Sequence, residues 1–160
     1  IAISLADPDN PCSNPPVIEA LGVPIGPGEN VTLIAHLAED GSPTASKFVN
    51  DVSPNAPGKA RIAAHHTAAA PAVDIAVGRT NFRGNMRVPQ IEIEDAPNGA
   101  QAAAEIRPGK WALTIAPAGS PDPVFGPVSA VLRPNNAYLL YAVGTAGTDS
   151  FTILQILIGL

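Results

Sequence analysis

Residues 111–120 read WALTIAPAGS, and the alternation in this stretch decides the fold class. Trp111, Leu113 and Ile115 fall on one side of an extended chain, Ala112 and Thr114 on the other, and a Pro-Ala-Gly-Ser turn ends the run. A period of two marks a strand with one buried face. The first ten residues, IAISLADPDN, repeat the pattern, with Ile1, Ile3 and Leu5 at the positions of Trp111, Leu113 and Ile115.

Working outward, the same period predicts strands over 17–25, 31–37, 46–52, 60–66, 73–77, 87–94, 102–106, 129–132, 137–143 and 151–158, besides 1–6 and 111–117. Turn signals separate them: PDNP, GPGEN, EDGSP, APNG, RPGK, RPNN and GTAGTD. Asp40-Gly41 and Asn98-Gly99 suit tight turns because glycine accepts positive φ. The one helix-friendly stretch, NGAQAAAE, is short and flanked by strands. The expected class is all-β, an Ig-like or Greek-key antiparallel β-sandwich.

Internal repetition organises the chain. Residues 17–49 line up with residues 125–157, so that Pro27 matches Pro134, Leu33 matches Leu140 and Ala35 matches Ala142. With the 1–6/111–116 match, residues 1–57 read as the back half of a first sandwich plus a linker, and residues 58–160 as a complete second one. The first copy lacks a counterpart of residues 60–110. Strands without sheet partners expose apolar faces and open edges, which recruit another chain. Ile1, Ile3 and Leu5 are the candidate unpaired strand, and Ile153, Leu154, Ile156 and Ile158 the candidate apolar strand that meets it in assembly. A head-to-tail contact of this kind propagates into a fibre unless a rotation closes it.

Composition narrows the function classes. The 160 residues are 46% hydrophobic and 14% charged, with 18 prolines and 14 glycines, which suits short strands and excludes a solvated disordered chain. The net charge of −5, with its few Lys and Arg scattered along the chain, argues against nucleic acid. No apolar run is long enough for a membrane span. The lone Cys12 sits in a loop, DNPCSNPP, and is a candidate for a disulfide to another subunit or to a segment outside these residues.

The residues able to do chemistry are sparse. His65 and His66 are adjacent at a strand end, so they point to opposite faces, and no cluster has zinc-like spacing. No metal or other cofactor is expected. Asp74 interrupts an apolar strand and needs a turn amide or Arg61 as partner. Glu92, Glu94 and Asp95 read as a solvated sheet face, Asn30-Val31-Thr32 as a glycosylation triplet, and no serine sits in a nucleophile elbow. Trp111, Tyr138 and Tyr141 read as core or rim residues.

Three motifs carry a family resemblance: ARIAAHHTAAAPAVDIAVG, RPGKWALTIAPAGSPDPVFGP and NNAYLLYAVGTAG. They resemble the domain of unknown function family 4397, secreted or surface-attached bacterial β-sandwich domains, commonly in tandem. The passage HLAEDGSPTASKFVNDVSPNAPGKAR is similar to the interdomain segment of two-domain actinobacterial members. The resemblance implies export and a sandwich, and it transfers no activity. The expectation is a non-enzymatic extracellular or cell-surface structural protein that self-associates through its sandwich domains. The alternative is a binding module for surface glycans or a small ligand, built on the loop carrying His65, His66 and Asp74.

Overall fold

Alternation becomes a layered sheet structure in the computed structural model, which describes residues 2–4, 7, 9–10, 13–19, 22–81 and 86–160. In chain order the strands are β1 (Ala2–Ser4), β2 (Pro16–Glu19), β3 (Asn30–Leu37), β4 (Pro43–Asn50), β5 (Ala60–His66), β6 (Val73–Thr80), β7 (Met86–Ala96), β8 (Gln101–Ile106), β9 (Gly109–Pro117), β10 (Phe125–Leu132), β11 (Asn136–Val143) and β12 (Thr152–Gly159). The protein is all-β among these residues, as the period-two pattern predicts. No helix in them is long and apolar enough to cross a membrane.

Two four-stranded sheets face each other. One has the order β10-β9-β6-β7 and the other β12-β11-β5-β8. Hairpins β6–β7, β9–β10 and β11–β12 stay within a sheet; the other connections cross between sheets. Neighbours are antiparallel except β5 and β11, which run parallel with Arg61 beside Ala137. Both strands start at the end of the sandwich where the chain crosses from the other layers, so their directions agree.

The inner faces make the main core. Val73, Ile75 and Val77 of β6 and Trp111, Leu113 and Ile115 of β9 meet Ile62, Ala64, Tyr138 and Leu140 from the second sheet. Each large side chain so buried contributes about 1.5–3 kcal/mol. The alternation in 111–115 thus reports a real inward face. The alanine run of NGAQAAAE forms β8, where Ala104 lies against Ile62 of β5. Tertiary pairing overrides local helix propensity there.

β5 is buried along its whole length and β11 along nearly all of it. A sandwich buries one face of a strand, so a third layer must cover the other. That layer is the β3–β4 hairpin. Phe48 and Ile34 pack against Ala63, Leu139 and Tyr141, forming a second apolar cluster outside the second sheet.

Pairing in the N-terminal strands follows the repeat. β1 pairs antiparallel with β2 as β9 does with β10, and β3 pairs with β4 as β11 does with β12. The cover differs. Leu140 is 8% exposed and its repeat counterpart Leu33 is 37% exposed; Leu113 is 5% exposed and its counterpart Ile3 is 37%. Among the described residues nothing pairs with β1 beyond β2 or with β3 beyond β4.

Candidate functional site

Two parts of the molecule bear on function: the polar layer under the β3–β4 hairpin, and the uncovered strands at either end of the chain.

The polar layer is built on β5. Because successive side chains alternate, His65 points toward the hairpin and His66 toward the opposite side. His65 stacks on Tyr141, and Phe48 of β4 meets its edge at 4.6 Å. Its Nδ1 lies 3.1 Å from the Leu140 carbonyl. A carbonyl only accepts, so Nδ1 carries the hydrogen and Nε2 is left with a lone pair that has no partner among the described residues. Burial holds the His65 pKa below the ordinary imidazole value, with the Leu140 bond opposing. Burial likewise raises the Tyr141 phenol above its usual range.

Arg61, on the same face, fixes the linker that joins the hairpin to β5. One guanidinium nitrogen donates to the carbonyls of Asp51 at 2.8 Å and Ser53 at 2.9 Å. The other reaches Glu105 at 3.0 Å and the Asp51 carboxylate at 3.2 Å. Glu105 in turn accepts from the Ala56 amide. At the far end of the hairpin Asn98 donates to the Leu37 and Ala68 carbonyls, at 3.0 and 2.6 Å. The layer is polar at both ends and apolar in the middle.

The loop residues singled out from sequence go to three places. His65 lies under the hairpin. His66 Nε2 lies 3.0 Å from the Pro71 carbonyl. Asp74 accepts from the amide of Asp95, near the end of β7, and from the turn amide of Gly119, each at 2.8 Å. Of the two partners expected for Asp74, a turn amide, that of Gly119, is the one found, and Arg61 pairs with Glu105 and Asp51. Both histidines are 1% exposed. His36 is occupied by Ser46 and the Leu37 carbonyl. Among the described residues no group of His, Cys, Asp and Glu is arranged to hold a metal ion. Asn30 opens β3 and accepts from Asn50.

The uncovered strands are the other feature. β12 is an edge strand, bonded on one side to β11, and it carries Leu154, Ile156 and Leu157 at 51%, 43% and 55% exposure. Ile153 and Ile158 of the same strand are half-buried. Where β12 and edge strand β10 splay apart, an apolar cavity of about 110 Å³ opens between the sheets, lined by Ile62, Trp111, Leu113, Leu140 and Ile153. At the other end of the chain, Ile3, Val17 and Leu33 are exposed, and among the described residues β1 and β3 each pair on one side alone. Ile1, Leu5 and Cys12 lie outside the described residues.

Sequence reading anticipated strands over 1–6 and 151–158, where β1 and β12 lie. It missed Phe48, Asn98, Glu105 and Tyr141 as parts of one layer. Their sole advance signal was the unbroken apolar character of 137–143, too continuous for a strand with one wet face.

Among curated proteins, none matches the chain. Residues 1–76, from β1 into β6, match the model of DUF4397, a domain of unknown function, and over that segment the family resemblance read from the sequence is shown.

Proposed function

We propose that this is a non-enzymatic extracellular or cell-surface structural protein that self-associates through its sandwich strands. The contact is β-strand addition: β12 of one copy lies along the open edge of β3, beside β1, in the next. The observation that carries this reading is the difference in cover between the two similar stretches. β11 holds β12 on one side and β5 on the other, while among the described residues its repeat β3 holds β4 alone. β3 and β12 each run eight residues. Both flank apolar side chains that remain exposed, and an open apolar edge is a template for another strand. Donor and acceptor differ, so the contact does not close on itself and extends into a filament.

A structural role is also supported by what the candidate chemical groups are doing. His66 and Asp74 are committed to backbone partners, and His65 is packed between rings. The family resemblance supports an envelope or secreted location by context.

Light scattering and electron microscopy of the purified chain test the proposal. Wild type is expected to give concentration-dependent oligomers or filaments, and Leu154→Lys with Ile156→Lys to give monomers with an unchanged fold, because an edge lysine opposes strand addition. A wild-type chain that stays monomeric at all concentrations would overturn it. Saturable binding of a glycan, abolished by His66→Ala or Asp74→Ala in a folded monomer, would favour a ligand-binding module instead.

A further inference from the structure

Burial explains why charges sit at strand ends; it does not explain why their signs separate. The fold gathers basic residues that are scattered in sequence to one end of the second sandwich. Lys59 precedes β5, Arg79 ends β6, Arg87 begins β7, Arg107 follows β8, Lys110 begins β9 and Arg133 follows β10. Strand pairing puts all of these at the same end: Ala60 faces Ile106, Arg79 faces Trp111 and Leu132 faces Gly109. The opposite end collects carboxylates. Asp74 begins β6, Glu94 and Asp95 lie near the end of β7, and Asp122 and Asp149 occupy the β9–β10 and β11–β12 loops. The β3–β4 turn, with Glu39 and Asp40, is tied to that same end through Asn98. Two carboxylates at the basic end, Glu105 and Asp51, are engaged by Arg61.

The basic end is also concave. Lys59, Arg79 and Arg107, with Gln90, Trp111 and the Arg61-paired Glu105, line an open cavity of about 440 Å³. Arg79 is held in place, its guanidinium 5.3 Å from the Trp111 ring centroid and donating to the Pro108 carbonyl at 3.3 Å. Trp111 is fixed in turn by its indole N–H to the Arg107 carbonyl at 2.9 Å. The ammonium of Lys59 and the guanidinium of Arg107 have no partner among the described residues.

Like charges collected at one end repel, so the arrangement costs the isolated molecule some stability. A partner of opposite sign removes that cost, and the molecule carries one at its other end. We infer that the basic end, with its cavity, receives the carboxylate-bearing end of a second copy of this chain. Pole-to-pole contact of this kind is heterologous and orients every copy the same way along a row. It rests on the self-association proposed above and adds a second contact that sets polarity, while strand addition supplies hydrogen bonds.

Charge-swap mixing tests it. One variant carries Arg107→Glu, Lys110→Glu and Arg133→Glu; the other carries Glu94→Lys, Asp122→Lys and Asp149→Lys. All six positions are exposed, so both variants are expected to fold. Each variant alone is expected to lose self-association at low salt, and an equimolar mixture to regain it as an alternating heteromer. Wild-type association is expected to weaken about tenfold between about 0.05 and about 0.5 M salt. Variants that each assemble alone as wild type does would overturn the pole contact and leave strand addition standing, and a mixture that stays dissociated while wild type assembles would overturn the pole contact. Wild type that never assembles, with a basic end that instead binds an anionic polysaccharide, would overturn both.

Discussion

The imidazole of His65 lies against the phenol ring of Tyr141, with ring centroids 4.1 Å apart and planes inclined by 15°. Phe48 closes the third side, so the histidine is sealed between the second sheet and the β3–β4 hairpin. This ring is where acidity acts on the fold. Protonating Nε2 would bury a charged N–H with no acceptor. The folded pKa lies below that of the unfolded chain, so the unfolded state takes up the proton first. Stability from this residue is complete above about pH 6.5 and falls as pH drops below it. Thermal unfolding followed from about pH 7.5 to about pH 5 should show a falling Tm in wild type and a flatter profile in His65→Phe. Equal slopes in the two proteins would remove His65 as the cause.

Arg61 should matter more than an exposed ion pair. Its side chain is 8% exposed and it holds two linker carbonyls together with Glu105. Arg61→Ala strands Glu105 and both carbonyls and should cost about 3 kcal/mol in urea unfolding. Arg61→Lys should restore only part of this, since an ammonium cannot reproduce the planar fork.

Asn98 should control how firmly the hairpin is held. Asn98→Ala leaves the Leu37 and Ala68 carbonyls without this donor, at a cost of about 1–3 kcal/mol. The expected sign is faster proteolytic cleavage in the 38–42 turn, with little change in cleavage of the β9–β10 loop.

Two glycines separate backbone conformation from crowding. Gly144 and Gly147 both have positive φ, 89° and 77°. A Cβ on Gly144 would collide with the Ser150 carbonyl oxygen, whereas one on Gly147 meets nothing within 4 Å. Gly147→Ala should cost about 1 kcal/mol and Gly144→Ala at least about 2 kcal/mol. Equal costs would mean that the loop around Ser150 yields freely.

Strand alternation was legible because each strand of the two main sheets carries its burial pattern within itself. Val73, Ile75 and Val77 need no distant partner to be recognised as a buried face. The third layer was not legible, because its contacts join residues far apart: Phe48 with His65, Arg61 with Glu105, Leu37 with Asn98. A strand buried on both faces looks like any apolar run until the covering element is known. The grouping of charge was not legible for the same reason, since Lys59, Arg79 and Arg107 are distant in sequence and line one cavity only after the strands pair. The similarity of residues 17–49 to residues 125–157, by contrast, lies within the sequence itself, and both stretches contain an antiparallel strand pair, β3–β4 and β11–β12.

Hydrogen–deuterium exchange measured across a range of protein concentrations tests the central claim most directly. If β12 of one copy pairs with β3 of the next, amides of β3 and β12 gain protection as concentration rises, while those of edge strands β7 and β8 do not. Exchange in β3 and β12 that is independent of concentration would contradict assembly by strand addition.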